Sequence, residues 1–157
     1  RKGRINVMGG VRYSDKKRGV DFIPSGNSAN FYAVLKTFYE DLRSEWILKG
    51  NLAEDFKDKG CKFVIILDNA SFHKKAETLQ KIAEEMPNLI IEFLPKYSPD
   101  YNLVELVWHS AKEYVANRLF ESIEKLEALL HKLLNEGGLI MKWNRKIKNK
   151  GNLVNAV

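Results

Sequence analysis

The chain has a single cysteine, Cys61, in 157 residues. One thiol excludes an internal disulfide and any zinc site built from several cysteines, and it suits a reducing cytoplasm. No apolar run approaches the roughly 18 residues that a membrane span needs, and no secretory signal opens the chain. Internal repeats, low-complexity tracts and long linkers are absent as well. Acidic residues are missing from the last stretch, 137–157, where Lys142, Arg145, Lys146, Lys148 and Lys150 stand unopposed. They are almost missing from residues 1–20, where Asp15 faces seven Lys and Arg. The net charge of +6 therefore hides two basic ends around an acidic centre. That pattern fits a protein that grips a polyanion and keeps metal-holding carboxylates in its middle. Solvated basic termini are the plain alternative. The chain starts at Arg1 rather than methionine, so it is expected to be a fragment or a processed form.

With 45% hydrophobic residues, there is enough apolar surface for one domain with a sizeable core. Arg4 to Tyr13 reads as a strand, Ser14 to Lys17 as a polar tip, and Val20 to Ile23 as a return strand closed by Pro24 and Gly26. Asn27 or Ser28 can cap a helix whose inner face is Phe31, Val34, Leu35, Phe38, Leu42 and Trp46. Lys62 to Asp68 is a continuous apolar run, the pattern of a strand covered on both faces. A polar helix over Lys74 to Met86 stops at Pro87, and Leu89 to Leu94 is a second buried strand. After a loop from Pro95 to Asp100, a helix runs from Leu103 to about Leu119. Its apolar stripe is Val104, Val107, Trp108, Ala111, Tyr114 and Val115. Ser122 to Asn135 is a last amphipathic helix, ended by Gly137-Gly138. This order implies an α/β domain over residues 1–136, a mixed sheet flanked by helices, with a basic tail over 137–157. Ile140 and Trp143 are candidate anchors for that tail.

Two carboxylates stand out. Asp68 ends the apolar run, so it emerges at the carboxyl end of a strand, the edge where open α/β sheets place ligands. A turn-forming aspartate is the plain reading. Glu105 follows Asn102 by three residues, which makes a near capping box worth on the order of 1 kcal/mol. A capped first turn would also fix where a metal-binding carboxylate points. His109, one turn after Glu105, is a lesser candidate for the metal or a DNA phosphate, and His73, near the start of its helix, for a phosphate. Trp108 is read as core rather than a base-stacking platform, and His131 as structural.

The two acids are separated by 36 residues that hold one helix, one strand and one Tyr-Ser-Pro loop. Asp68, Asn69, Ala70 and His73 form an Asp-Asn-Ala-x-x-His pattern. Leu94, Pro95, Tyr97, Ser98, Pro99, Asn102, Glu105, Trp108 and Lys112 follow in register with a second motif. Together these resemble the DDE-type catalytic domain of mariner-like and bacterial insertion-sequence transposases, over nearly the whole chain. The resemblance implies a ribonuclease H-like fold, here lacking its first strand, and DNA transposition. Asp68 and Glu105 would be catalytic, joining an upstream aspartate to hold two Mg²⁺ or Mn²⁺ ions for strand cleavage and transfer at transposon ends. Double-stranded DNA is the implied partner, with Lys142, Arg145, Lys146, Lys148 and Lys150 as basic contacts. A homodimer of the full-length protein and a bacterial, cytoplasmic location are implied too. Leu103 replaces the family's usual proline at little cost. Neither Asp15 nor Asp21 stands where the first catalytic aspartate belongs, so it is expected upstream of residue 1 or lost. An inactive remnant that binds DNA or pairs with an intact transposase is the alternative.

Overall fold

The computed structural model describes residues 4–98, 101–143, 146–149 and 152–155. The chain divides into two compact units, residues 1–24 with 97–157, and residues 25–96. Among the described residues no helix is long and apolar enough to cross a membrane.

In the first unit, strands β1 (Asn6–Val11) and β2 (Arg18–Ile23) form the expected antiparallel hairpin, with Met8 opposite Asp21 and Gly9 opposite Val20. Its tip is closed by Arg12 N donating to Lys17 O at 2.7 Å and by Lys17 N donating to the Asp15 carboxylate at 3.0 Å. Gly9 has a packing reason. A Cβ there would lie 2.5 Å from Val20 Cγ1 and 3.1 Å from the Trp108 ring. Trp108 is thus a core side chain, as its stripe implied. Helices α4 (Val104–Val115) and α5 (Ile123–Asn135) bury Val107, Ala111, Leu133 and Leu134 with Val20 and Leu139.

Ser122 caps α5 by accepting from Lys125 N, and Gly137, at φ +75°, reverses the chain after it. The hairpin is tied to that helix end. The Asn135 amide accepts from Val20 N at 2.8 Å and donates to Val20 O at 3.1 Å, so it mimics a third strand along the edge of β2. Arg18 donates to the carbonyls of Leu133 and Leu134 in the last turn of α5 and to that of Leu139 beyond it.

The second unit starts with α1 (Ser28–Leu48), capped by Asn27 Oδ1 accepting from Asn30 N at 2.9 Å. A short helix unread in the sequence, α2 (Phe56–Lys59), follows a single 3₁₀ turn and places Phe56 at the centre of the core. Phe56 packs between Tyr39 and Trp46, with ring centroids 5.3 and 5.5 Å away. Strands β3 (Phe63–Leu67) and β4 (Leu89–Phe93) pair in parallel around α3 (Ala76–Glu85), from Phe63 opposite Leu89 to Leu67 opposite Phe93.

Asn88, fully buried, locks the start of that ladder. Its Nδ2 donates to Phe56 O and Cys61 O, its Oδ1 accepts from the Tyr39 hydroxyl at 2.8 Å, and its carbonyl accepts from Phe63 N. Every hydrogen-bonding group of this buried amide is used, which is the condition for burying it.

Several expectations need correction. The β3 run is not covered on both faces: Val64 and Ile66 are each 58% exposed and alternate with half-buried neighbours. A two-stranded ladder keeps the period-2 alternation of side chains, whatever the apolarity of the run. Both pairing senses of a mixed sheet are present, but the antiparallel and parallel pairs are separate hydrogen-bonded ladders. Helix α4 stops at Val115 rather than near Leu119: Ala116 leaves the helical region at ψ 138°, and Asn117 follows with a left-handed backbone, φ 61°. Residue 136 is not a break in packing, since Leu139 is buried and Met141 and Trp143 pack on the same core. Farther on, a hairpin of β5 (Lys146–Asn149) and β6 (Asn152–Asn155) stands where only a basic tail was expected.

Candidate metal-binding carboxylates

Asp68 follows the last residue of β3, and the backbone bond from Leu94 N to Leu67 O (2.8 Å) carries the ladder up to it. The chain then turns. Asp68 Oδ1 accepts from Ala70 N at 3.0 Å, the aspartate turn anticipated as the plain reading. The same oxygen lies 2.9 Å from His73 Nδ1, whose hydrogen bond, 3.4 Å long, goes to the Asp68 backbone carbonyl. His73 sits in a 3₁₀ turn (Ser71–Lys74) rather than at the start of a long helix, and is only 9% exposed. Its ring is packed between Phe31 and Phe72, with centroids 4.5 and 4.4 Å away. It is therefore buried and turned onto Asp68, not displayed to a phosphate. By contrast, the Asp68 side chain is 47% exposed, and among the described residues no hydrogen bond uses its Oδ2.

Asn69 and Lys74 complete this edge. Asn69 Nδ2 donates to Leu94 O, which ties the turn to the end of β4. Lys74 Nζ donates to Asn69 Oδ1 and lies 5.0 Å above the Phe93 ring. Sequence reasoning missed Lys74. The only signal was a lysine immediately after the histidine of the motif.

Glu105 is in the first turn of α4, as expected, and is half-buried. The capping box is not formed. Asn102 contributes its backbone carbonyl, accepting from Glu105 N at 2.9 Å, and α4 starts after Leu103 with no side-chain cap. The helix dipole still favours an acid at this position. His109, one turn on, faces Glu113, with Nε2 3.4 Å from its carboxylate. His131 stacks on Phe22 at 6.4 Å, in keeping with a structural role.

Tyr97, in the loop that carries the second motif, is 97% exposed with a left-handed backbone, φ 61°. Pro99 and Asp100 lie outside the described residues. Of the basic candidates, Lys142 is exposed, Lys146 and Lys148 lie on β5, and Arg145 and Lys150 are outside the described residues. No group of three or more His, Cys, Asp and Glu side chains suited to a metal is assembled among the described residues.

The fold is similar to that in the crystal structure of the catalytic domain of Mos1 mariner transposase, with a TM-score of 0.54 and 16% sequence identity. That similarity covers 83% of this chain and 68% of the other. No curated protein sequence matches the chain. The family model described as DDE superfamily endonuclease matches residues 1–127, a span that holds both Asp68 and Glu105. The chain belongs to the DDE superfamily endonucleases and has their ribonuclease H-like α/β fold.

Proposed function

We propose that the chain acts in DNA transposition, by divalent-metal-dependent strand cleavage and strand transfer at transposon ends, with Asp68 and Glu105 as carboxylate ligands. The observation that supports this best is the Asp68 carboxylate, with one oxygen held by Ala70 N and 2.9 Å from His73 Nδ1, no hydrogen bond to the other among the described residues, and the side chain 47% exposed. Carboxylate oxygens suit hard cations, so these residues fit Mg²⁺ or Mn²⁺. When bound, two such ions supply the positive charge that polarises a phosphodiester.

The chain's own residues do the positioning. Ala70 N holds the Asp68 carboxylate, with His73 packed beside it, and the first turn of α4 carries Glu105 where the helix dipole favours an anion. Asp15 is engaged at the hairpin tip by Lys17 N and Arg12, and no ligand role is assigned to it or to Asp21. A third carboxylate is therefore needed for a full site. Lys142, Arg145, Lys146, Lys148 and Lys150 draw duplex DNA by phosphate contacts that are blind to sequence. A homodimer of the full-length protein and a cytoplasmic location go with the reading.

Mn²⁺ binding followed by electron paramagnetic resonance tests it. Asp68→Asn and Glu105→Gln should each weaken binding by at least about tenfold, since losing even a partner of a ligand costs that much. Both variants should keep the wild-type circular dichroism. Unchanged Mn²⁺ affinity in both variants, or DNA cleavage indifferent to Asp68→Asn, would refute the assignment.

A further inference from the structure

The two donors to Asp68 differ in kind. Ala70 N belongs to the turn itself and would be there for any residue. His73 is brought in by a 3₁₀ turn and wedged between two phenylalanines, and its Nδ1 reaches the same oxygen that Ala70 N already holds. We propose that His73 is a positioning residue. Caged by Phe31 and Phe72, it fixes the rotation of the Asp68 carboxylate so that Oδ2 is presented as a ligand atom.

The physical argument is one of geometry and freedom. An aspartate held by a single backbone N–H can still turn about its last torsion, a broad and soft one. His73 Nδ1, 2.9 Å from the same oxygen and 3.4 Å from the Asp68 backbone carbonyl, limits that turn from both sides of the torsion and leaves the other oxygen's lone pairs unused. A donor is only as good as its own anchoring. The His73 ring has Phe31 at 4.5 Å, Phe72 at 4.4 Å and almost no solvent contact, so it has nowhere to rotate. Nδ1 must carry the proton for this bond. The neutral ring in that tautomer suffices, so no charge on the histidine is required. Hydrogen-bond partners that orient a metal's ligands act in this way in general, and their loss typically costs 10- to 100-fold in metal affinity.

This inference rests on the reading of Asp68 as a metal ligand, and the test separates the two. His73→Phe keeps an aromatic ring between Phe31 and Phe72 but has no donor. His73→Asn returns an N–H near the Nδ1 position but loses the ring. Mn²⁺ affinity should fall about tenfold in His73→Phe and recover to within roughly threefold of wild type in His73→Asn. Thermal stability should rank the other way, with His73→Phe above His73→Asn. A merely structural histidine would make affinity follow stability, and that result overturns the proposal. If Asp68→Asn abolishes Mn²⁺ binding while His73→Phe leaves it unchanged, His73 alone is wrongly assigned. If Asp68→Asn also leaves binding unchanged, the metal-ligand reading falls and the positioning role falls with it.

Discussion

Replacing Asn88 by alanine should cost the domain about 2–4 kcal/mol. The figure follows from what each partner is left with. The Tyr39 hydroxyl is buried and would lose the Asn88 Oδ1 it donates to, an orphaned polar group worth about 1–3 kcal/mol. Phe56 O would keep Gly60 N at 2.9 Å, so its loss is partial. Cys61 is exposed, so water can replace the bond to its carbonyl, and that loss is on the order of 0.5 kcal/mol. For a chain of this length such a loss lowers the melting temperature by roughly 5–15 °C. Urea unfolding followed by circular dichroism measures it, and the fluorescence of Trp46, packed on Phe56, reports the same region. A second substitution sharpens the test. Tyr39→Phe removes the hydroxyl that Asn88→Ala strands, so the double variant should be at least as stable as Asn88→Ala alone. A loss below about 1 kcal/mol, or simple additivity of the two substitutions, would refute the idea that Asn88 satisfies a closed buried network.

Arg18→Lys keeps the charge but not the fork that reaches three carbonyls, so about 1–3 kcal/mol should be lost. Hydrogen exchange of the β1–β2 amides should rise, and unchanged protection would mean that Asn135 alone holds the hairpin. Burial, aided by the charge of Glu40, raises the Tyr39 hydroxyl above its ordinary value of 10.0. The folded state thus favours the neutral phenol, and this stability is complete below about pH 10 and lost as pH rises through the raised value. Unfolding curves above pH 10 should fall more steeply for the wild type than for Tyr39→Phe. Neutralising Lys142, Arg145, Lys146, Lys148 and Lys150 should flatten the dependence of log DNA affinity on log salt, by up to roughly 0.9 for each phosphate that is no longer neutralised. An unchanged slope would make that segment solvated surface.

The helices and the hairpin were legible because their signals are short-ranged. Asn27 and Ser122 each cap a helix through the N–H three residues on, Gly137 ends one, and the polar tip of residues 14–17 turns the chain within a few bonds. The two motif carboxylates were legible for the same reason, as each sits at a fixed step from the end of a strand or the start of a helix. Alternation on the β5–β6 segment was overlooked because its charge suggested a tail, although Lys146, Ile147 and Lys148 do alternate.

What the sequence could not decide were contacts between residues far apart in the chain. Tyr39 meets Asn88 across 49 positions, and Arg18 reaches Leu139 across 121. Nothing local marks Asn88 as buried, since an asparagine before a strand usually faces water. Likewise, apolarity alone placed Val64 and Ile66 inside, whereas exposure depends on which layers cover each face of the ladder. His73 shows the division in one residue. Its place five positions after Asp68 was written in the sequence, but its orientation depended on Phe31, 42 positions earlier, closing over the ring. Local chemistry along the chain determined which groups stand at the candidate site. Chain closure, by bringing a distant aromatic against the histidine, decided that its Nδ1 lies beside the Asp68 oxygen that the local turn already holds.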